Sequence, residues 1–193
     1  MWLARCVTLG LVASIALLTG CITDVWTGAN LVYNRHNVYK TLSDFQLGAK
    51  ANRALYQDQV FKGPDCLIDL AVINGDVLLA GHVPTDALRQ EAMQRIKVLP
   101  GKRRLFDQLS ISSVSTNELL DHWITTKIRG EILGDSSIDP HGFKVVTSDQ
   151  IVYLMGDVIP SEAGRVIHMA RSCDGVRRVV TLFKYYHLSD KPK

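Results

Sequence analysis

Residues 68–83 read IDLAVINGDVLLAGHV, and residues 143–158 read FKVVTSDQIVYLMGDV. Shifted by 75, Val77 meets Val152, Leu79 meets Leu154, Gly81 meets Gly156 and Val83 meets Val158. This repeat limits the fold more than any other feature, because self-similarity at a fixed offset means copies of one supersecondary unit. After each copy comes a helix-start signal, PTDA at 84–87 and PSEA at 160–163, with Thr85 and Ser161 as expected N-caps. LPGKRRL (99–105) and CDGVRRV (173–179) then align Gly101 with Gly175 and Arg103 and Arg104 with Arg177 and Arg178. A helical segment precedes each copy, SDFQLGAKANRALYQD (43–58) and NELLDHWITTKIRGEILGD (117–135), in which Lys50 aligns with Lys127 and Asp58 with Asp135. Ser43 with Gln46 and Ser115 with Glu118 are spaced as capping boxes.

Each unit therefore reads helix, strand, strand, helix, strand. The turns NGD (74–76) and SDQ (148–150) predict two hairpins, and RLFDQLSIS and RVVTLFKYY supply the third strands. The expected fold class is α+β: two tandem units of about 70 residues, each a three-stranded sheet with two helices on one face. A unit that small buries little core alone, which gives a reason for duplication or mutual packing.

The start of the chain carries an address. VTLGLVASIALLTG is the length of a signal-peptide core, follows Arg5, and ends at Leu18, Thr19, Gly20 and Cys21. That order resembles a bacterial lipobox, in which the cysteine becomes the acylated N-terminus, so Cys21 is the expected lipidation site. Ile22, rather than an aspartate, follows it, and the resemblance then points to the outer membrane, with the chain lipid-anchored on the periplasmic side. Several acyl chains, each methylene contributing about 0.8 kcal/mol on burial, make such anchoring durable. The expected layout is a leader at 1–20, a tether at 21–42, a first unit at 43–112, a second at 115–185 and a tail at 186–193. WTGANLVYNRHNVYKTL (26–42) holds Tyr33, Arg35, His36 and Tyr39, and reads as a linker, with an ordered tether or partner contact as the other reading.

Loss of residues 1–20 removes only Arg5 of the 22 basic residues against 19 acidic ones, so the remainder is close to neutral. That charge dictates no anionic partner, and the compartment argues against nucleic acid. Of the four cysteines, Cys66 and Cys173 remain beside the leader's Cys6 and the candidate Cys21. An oxidising compartment permits a bridge between them, but their apolar surroundings favour buried free thiols, which is the expected state.

Nothing points to catalysis. There is no G-x-S-x-G, no H-E-x-x-H, no P-loop and no G-x-G-x-x-G, and the six histidines are scattered without metal spacing. No catalytic residue, metal ligand, cofactor or small-molecule substrate is expected. His82 reads as a solvated turn position and His168 as a surface residue. Arg103 and Arg104, and Arg177 and Arg178, read as edge charges that block pairing between sheets.

Helix, then V…G.V.L.G.V, then helix, then GV..V is the pattern of the BON domain. GFKVVTSDQIVYLMGDVIPSEAGRVIHMARSCDGVRRVVTLF fits it well, and with WITTKIRGEIL before it the chain resembles the outer-membrane lipoproteins that carry two BON units. The first unit departs from the pattern, with PGKRR where Gly-Val is usual. The resemblance implies binding of anionic phospholipid by the first helix of the second unit and a role in outer-membrane integrity.

That helix can be tested by geometry. Taken at about 100° per residue, Leu120, Ile124, Ile128 and Ile132 form one core arc. Trp123, Lys127, Gly130 and Gly134 lie within about 40° of Trp123 on a different arc, with Leu133 beside it. An indole suits a water–lipid interface, a lysine reaches anionic headgroups, and glycines permit close approach. Those five residues are the candidate phospholipid site. On sequence alone, Trp123 packed between the two units is an equal reading. The alternative function is a protein-binding adaptor that docks envelope proteins, with membrane contact only through the N-terminal lipid.

Overall fold

The computed structural model describes residues 28–113 and 117–186, with side chains from Tyr39 on. Cys21, Ser115 and the tail after Tyr186 lie outside the described residues, as does the lipobox reading. The residues from Tyr39 on form one compact unit. In chain order the elements are α1 (Gly28–Tyr56), β1 (Leu67–Ile73), β2 (Asp76–Val83), α2 (Asp86–Lys97) and β3 (Arg104–Ile111). They are followed by α3 (Glu118–Gly134), a 3-10 turn at Pro140–Gly142, β4 (Lys144–Ser148), β5 (Ile151–Val158), α4 (Pro160–Ser172) and β6 (Arg178–Tyr185). Among the described residues, no helix is long and apolar enough to cross a membrane.

Each sheet has three strands, in the orders β1-β2-β3 and β4-β5-β6. The first pair in each is antiparallel and the second parallel, with a helix as the crossover. The hairpins turn on two residues. Asn74 and Gly75 have φ of 51° and 77°, and Asp149 and Gln150 have φ of 54° and 61°. Left-handed backbone at both positions matches the twist of the flanking strands. It is disfavoured for side chains other than glycine, and both units offset this in the same way. Asp44 accepts from the N–H groups of Asn74 and Gly75 at 2.6 and 2.8 Å; Asp121 accepts from Asp149 and Gln150 at 2.8 and 2.9 Å. A carboxylate on the first helix thus caps the hairpin in each unit. Burial nevertheless pushes the pKa of Asp121 up.

The central strands show how the units meet. Along β2, Val77, Leu79 and Val83 face the helices, with Leu47, Ala51, Leu55 and Ile96. Leu78 and Ala80 face the other way and join Tyr153 and Met155 of β5, where Val152, Leu154 and Val158 face α3 and α4. The two sheets therefore pack back to back, giving four layers: helices, sheet, sheet, helices. Central strands buried on both faces carry continuous apolar runs instead of alternating ones.

Glycine is required where β2 and β5 end. Gly81 and Gly156 have φ of 110° and 147°, and a Cβ on them would sit 2.1 Å from the Leu67 carbonyl oxygen and 1.9 Å from that of Gly142. Backbone passes where a side chain would be.

Several expectations need correction. α1 runs unbroken from Gly28, so residues 28–42 are helix rather than linker, and Ser43 lies inside it, donating to the Lys40 carbonyl at 2.8 Å. α3 is capped by Asn117, which puts Glu118 at the first helical position instead of the third position of a capping box. Thr85 caps α2 as expected, but α4 starts from Ile159 with Pro160 in its first turn, so Ser161 is not the cap. The cysteines need no correction: Cys66 and Cys173 are both free, as their apolar surroundings led one to expect, and Cys173 is buried in the second core, which pushes its thiol pKa up.

Candidate functional site

Two polar clusters sit where the sheets meet. His82 is 3% exposed, and its Nδ1 lies 3.2 Å from the Asp149 carboxylate of the second unit. It is a buried joint residue and not a solvated turn position. Arg103 and Arg104 both bind Asp76, whose side chain is fully buried, and Arg103 reaches across to Asp157 at 2.7 Å. They are clamp residues and not edge charges. Burial works against the Asp76 carboxylate, and the bonds from Arg103 and Arg104 outweigh it, holding its pKa below the ordinary carboxylate range. The contacts are reciprocal. His82 and Asp157 occupy matched positions, as do the turn residues Asn74 and Asp149. His82 reaches the second unit's hairpin directly, and Asp157 reaches Arg103, whose N donates to the Gly75 carbonyl of the first unit's hairpin at 2.6 Å. That reciprocity is the pattern of a two-fold relation within one chain.

These clusters join the units. His82 and its neighbour Ser148 are closed off, at 3% and 1% exposure. A polar cleft lined by Lys40, Lys102, Arg103 and Asp157 has its stronger cations engaged, Lys102 by the carbonyls of Lys97 and Leu99, and Arg103 by two carboxylates. Among the described residues, no group of three acidic, histidine or cysteine side chains is placed to hold a metal.

The outer face of α3 is different. Its inner stripe is Ile124, Ile128 and Ile132, all buried, with Leu120 packed beside them, as the helical spacing predicts. Asp121 joins that stripe because it caps the hairpin. Trp123 lies on the opposite side, 48% exposed, and is absent from the cluster between the sheets. Lys127 Nζ rests 5.0 Å from the centre of its ring and 3.8 Å from Asp174. A Cβ on Gly130 or Gly134 would meet nothing within 4 Å, and Leu133 is 68% exposed. The helix thus brings all five candidate residues to one open face. Helical spacing also adds Leu119, 82% exposed and one turn before Trp123. The sequence reading missed it, although the i, i+4 relation to Trp123 was available. Arg129, His122, Glu118 and Glu131 are exposed on the same helix, so the face is apolar with mixed charge around it.

The face can lie against an apolar or interfacial medium. The indole and two leucines offer apolar area, the glycines leave the backbone uncovered, and the lysine stands at the rim. A lysine over an indole gains about 0.5–1 kcal/mol at an exposed site, which keeps the pair together in water.

Residues 43–113 and 120–185 match the model of the BON domain. The chain belongs to the BON domain family. It is 26% identical over 181 residues to Outer membrane lipoprotein DolP of Haemophilus influenzae (strain ATCC 51907 / DSM 11121 / KW20 / Rd), covering 91% of this chain and 93% of that protein. It is also 28% identical over 120 residues to a 21 kDa hemolysin of Actinobacillus pleuropneumoniae, covering 61% of this chain and 62% of the relative. It is 25% identical over 162 residues to Osmotically-inducible protein Y of Escherichia coli (strain K12), covering 81% and 80%. These likenesses support a tandem BON lipoprotein of DolP type, lipid-anchored at the outer membrane.

Proposed function

We propose that this envelope protein is non-catalytic and binds anionic phospholipid through the outer face of α3, supporting the integrity of the outer membrane to which Cys21 anchors it. One observation carries the reading: Trp123 and Lys127 stand together on a face whose other members are exposed leucines and uncovered glycines. An indole at the headgroup level and a cation near phosphate are the two chemistries that a lipid surface rewards.

Flotation with vesicles tests it. The protein used is the chain from Ile22 on, which keeps every described element and lacks the acyl anchor. It is expected to float with vesicles containing anionic lipid, less with neutral ones, and less as salt rises, because exposed charge interactions are screened. Trp123→Ala with Lys127→Ala is expected to remove most of the difference while leaving circular dichroism unchanged.

A second reading has its own observation. Tyr39, Leu42 and Phe45 on α1 are 70%, 50% and 73% exposed, and a protein docked there would make the chain an adaptor. Failure of the wild-type chain from Ile22 on to float with either kind of vesicle favours that reading, because its membrane contact comes only through the N-terminal lipid.

A further inference from the structure

We propose that Asp174 is an internal counter-ion that occupies Lys127 when no lipid is bound and sets how strongly the α3 face prefers anionic headgroups; this rests on the lipid-binding reading above. The carboxylate belongs to the turn between α4 and β6, and its Oδ2 lies 3.8 Å from Lys127 Nζ. Its place is not left to that weak pair. Gly175 follows it with φ of 83°, and a Cβ there would come within 3.3 Å of the methyl groups of both Leu120 and Ile124. The turn is therefore pressed onto the inner stripe of α3, and Asp174 is carried to the edge of the outer face with its side chain 93% exposed. Lys127 is held from two sides, by the Trp123 ring below and Asp174 beside it. Glu131, one turn on, is the other carboxylate of that helix edge.

A headgroup of net negative charge that approaches Lys127 must displace Asp174 or tolerate a like charge next to it. On a neutral surface neither applies, and only Trp123 and the leucines contribute. Asp174 thus lowers affinity for anionic membranes without touching the apolar part of the contact. The first unit has no equivalent, because Pro100 precedes Gly101 where Asp174 precedes Gly175.

The experiment uses the chain from Ile22 on and phosphatidylcholine vesicles with or without phosphatidylglycerol. Asp174→Asn is expected to bind the anionic vesicles about two- to fivefold more tightly, the effect of one exposed charge pair. Binding to neutral vesicles is expected to be unchanged, and Asp174→Glu is expected to restore wild-type affinity. In a Lys127→Met background the gain from Asp174→Asn is expected to disappear, because the carboxylate acts through that lysine. Wild-type affinity in Asp174→Asn overturns the proposal, and so does a gain that persists undiminished without Lys127. Wild-type protein with no preference for anionic vesicles overturns the lipid-binding reading instead.

Discussion

The two units share a scaffold and differ in what they do with its outside. Both have the helix-borne aspartate over a left-handed hairpin, both end their central strand on a glycine that backbone crosses, and both bury the second sheet face against the other. The first unit adds a buried carboxylate at the start of β2, Asp76, held by two arginines; at the matched start of β5 the second has Ile151, opposite an exposed Arg178. On the first helix the contrast reverses. A shift of 77 places Gln46 where the second unit has Trp123 and Arg53 where it has Gly130. Tyr56, in place of the exposed Leu133, turns back to donate to the Ile68 carbonyl at 3.0 Å. Duplication kept what the fold needs and let the outer faces diverge: the first unit clamps the joint, and the second offers an open apolar face.

The matched glycines provide the severest test of the shared scaffold. Gly156→Val puts a side chain where the Gly142 carbonyl lies and is expected to abolish cooperative unfolding or cost more than about 4 kcal/mol. Gly81→Val is expected to do the same through Leu67. Thermal melts followed by circular dichroism decide it, and a melt unchanged in one of the two breaks the equivalence.

The clamp separates the units. Arg103→Met leaves Asp76 buried with one partner and severs Asp157; breaking such a pair costs about 3 kcal/mol. Arg177→Met, at the matched exposed position, is expected to stay within about 0.5 kcal/mol. Acidity sharpens the contrast. Because the pKa of Asp76 is depressed in the folded state, its contribution is present above roughly pH 4 and is lost as pH falls through the folded value. Urea titrations at neutral and acid pH are therefore expected to show the gap between wild type and Arg103→Met narrowing as pH falls. A gap that widens contradicts the assignment.

Smaller effects are expected at the hairpins. Asp121→Ala removes the acceptor from two turn N–H groups and is expected to cost about 1–2 kcal/mol. Asp44→Ala is expected to cost less, because Gly75 occupies one left-handed position without strain while Asp149 and Gln150 occupy both in the second unit. Equal losses in chemical denaturation would show that turn strain plays no part.

Much of this was legible in the sequence because repeats and periodicity report local structure directly. The aligned glycines, the hairpin turns and the isoleucine stripe of α3 are set by contacts within one unit. What the sequence obscured depends on the packing between units. His82 looks like a turn residue until Asp149 is brought to it from 67 positions away. Arg103 and Arg104 look like edge charges until Asp76 and Asp157 converge on them. A signal was available in the unbroken apolar runs of β2 and β5, which only strands covered on both faces carry. Ser43 misled because a serine three residues before a glutamine reads the same inside a helix as at its start, and α1 continues through it. Trp123 could be placed on its face by spacing, but whether that face was covered by the other unit required the back-to-back arrangement of the sheets.

The central claim is that the Trp123 face of the second unit enters lipid. In the chain from Ile22 on, Trp26→Phe leaves Trp123 as the remaining tryptophan of the three in the full sequence. Its emission can then be followed as vesicles carrying bromine on the acyl chains near the headgroup are added. The account predicts that Trp123 emission shifts to shorter wavelength with anionic vesicles and is quenched by the brominated ones, and that Lys127→Ala reduces both effects. Emission that neither shifts nor quenches while the protein still floats with the vesicles would contradict it.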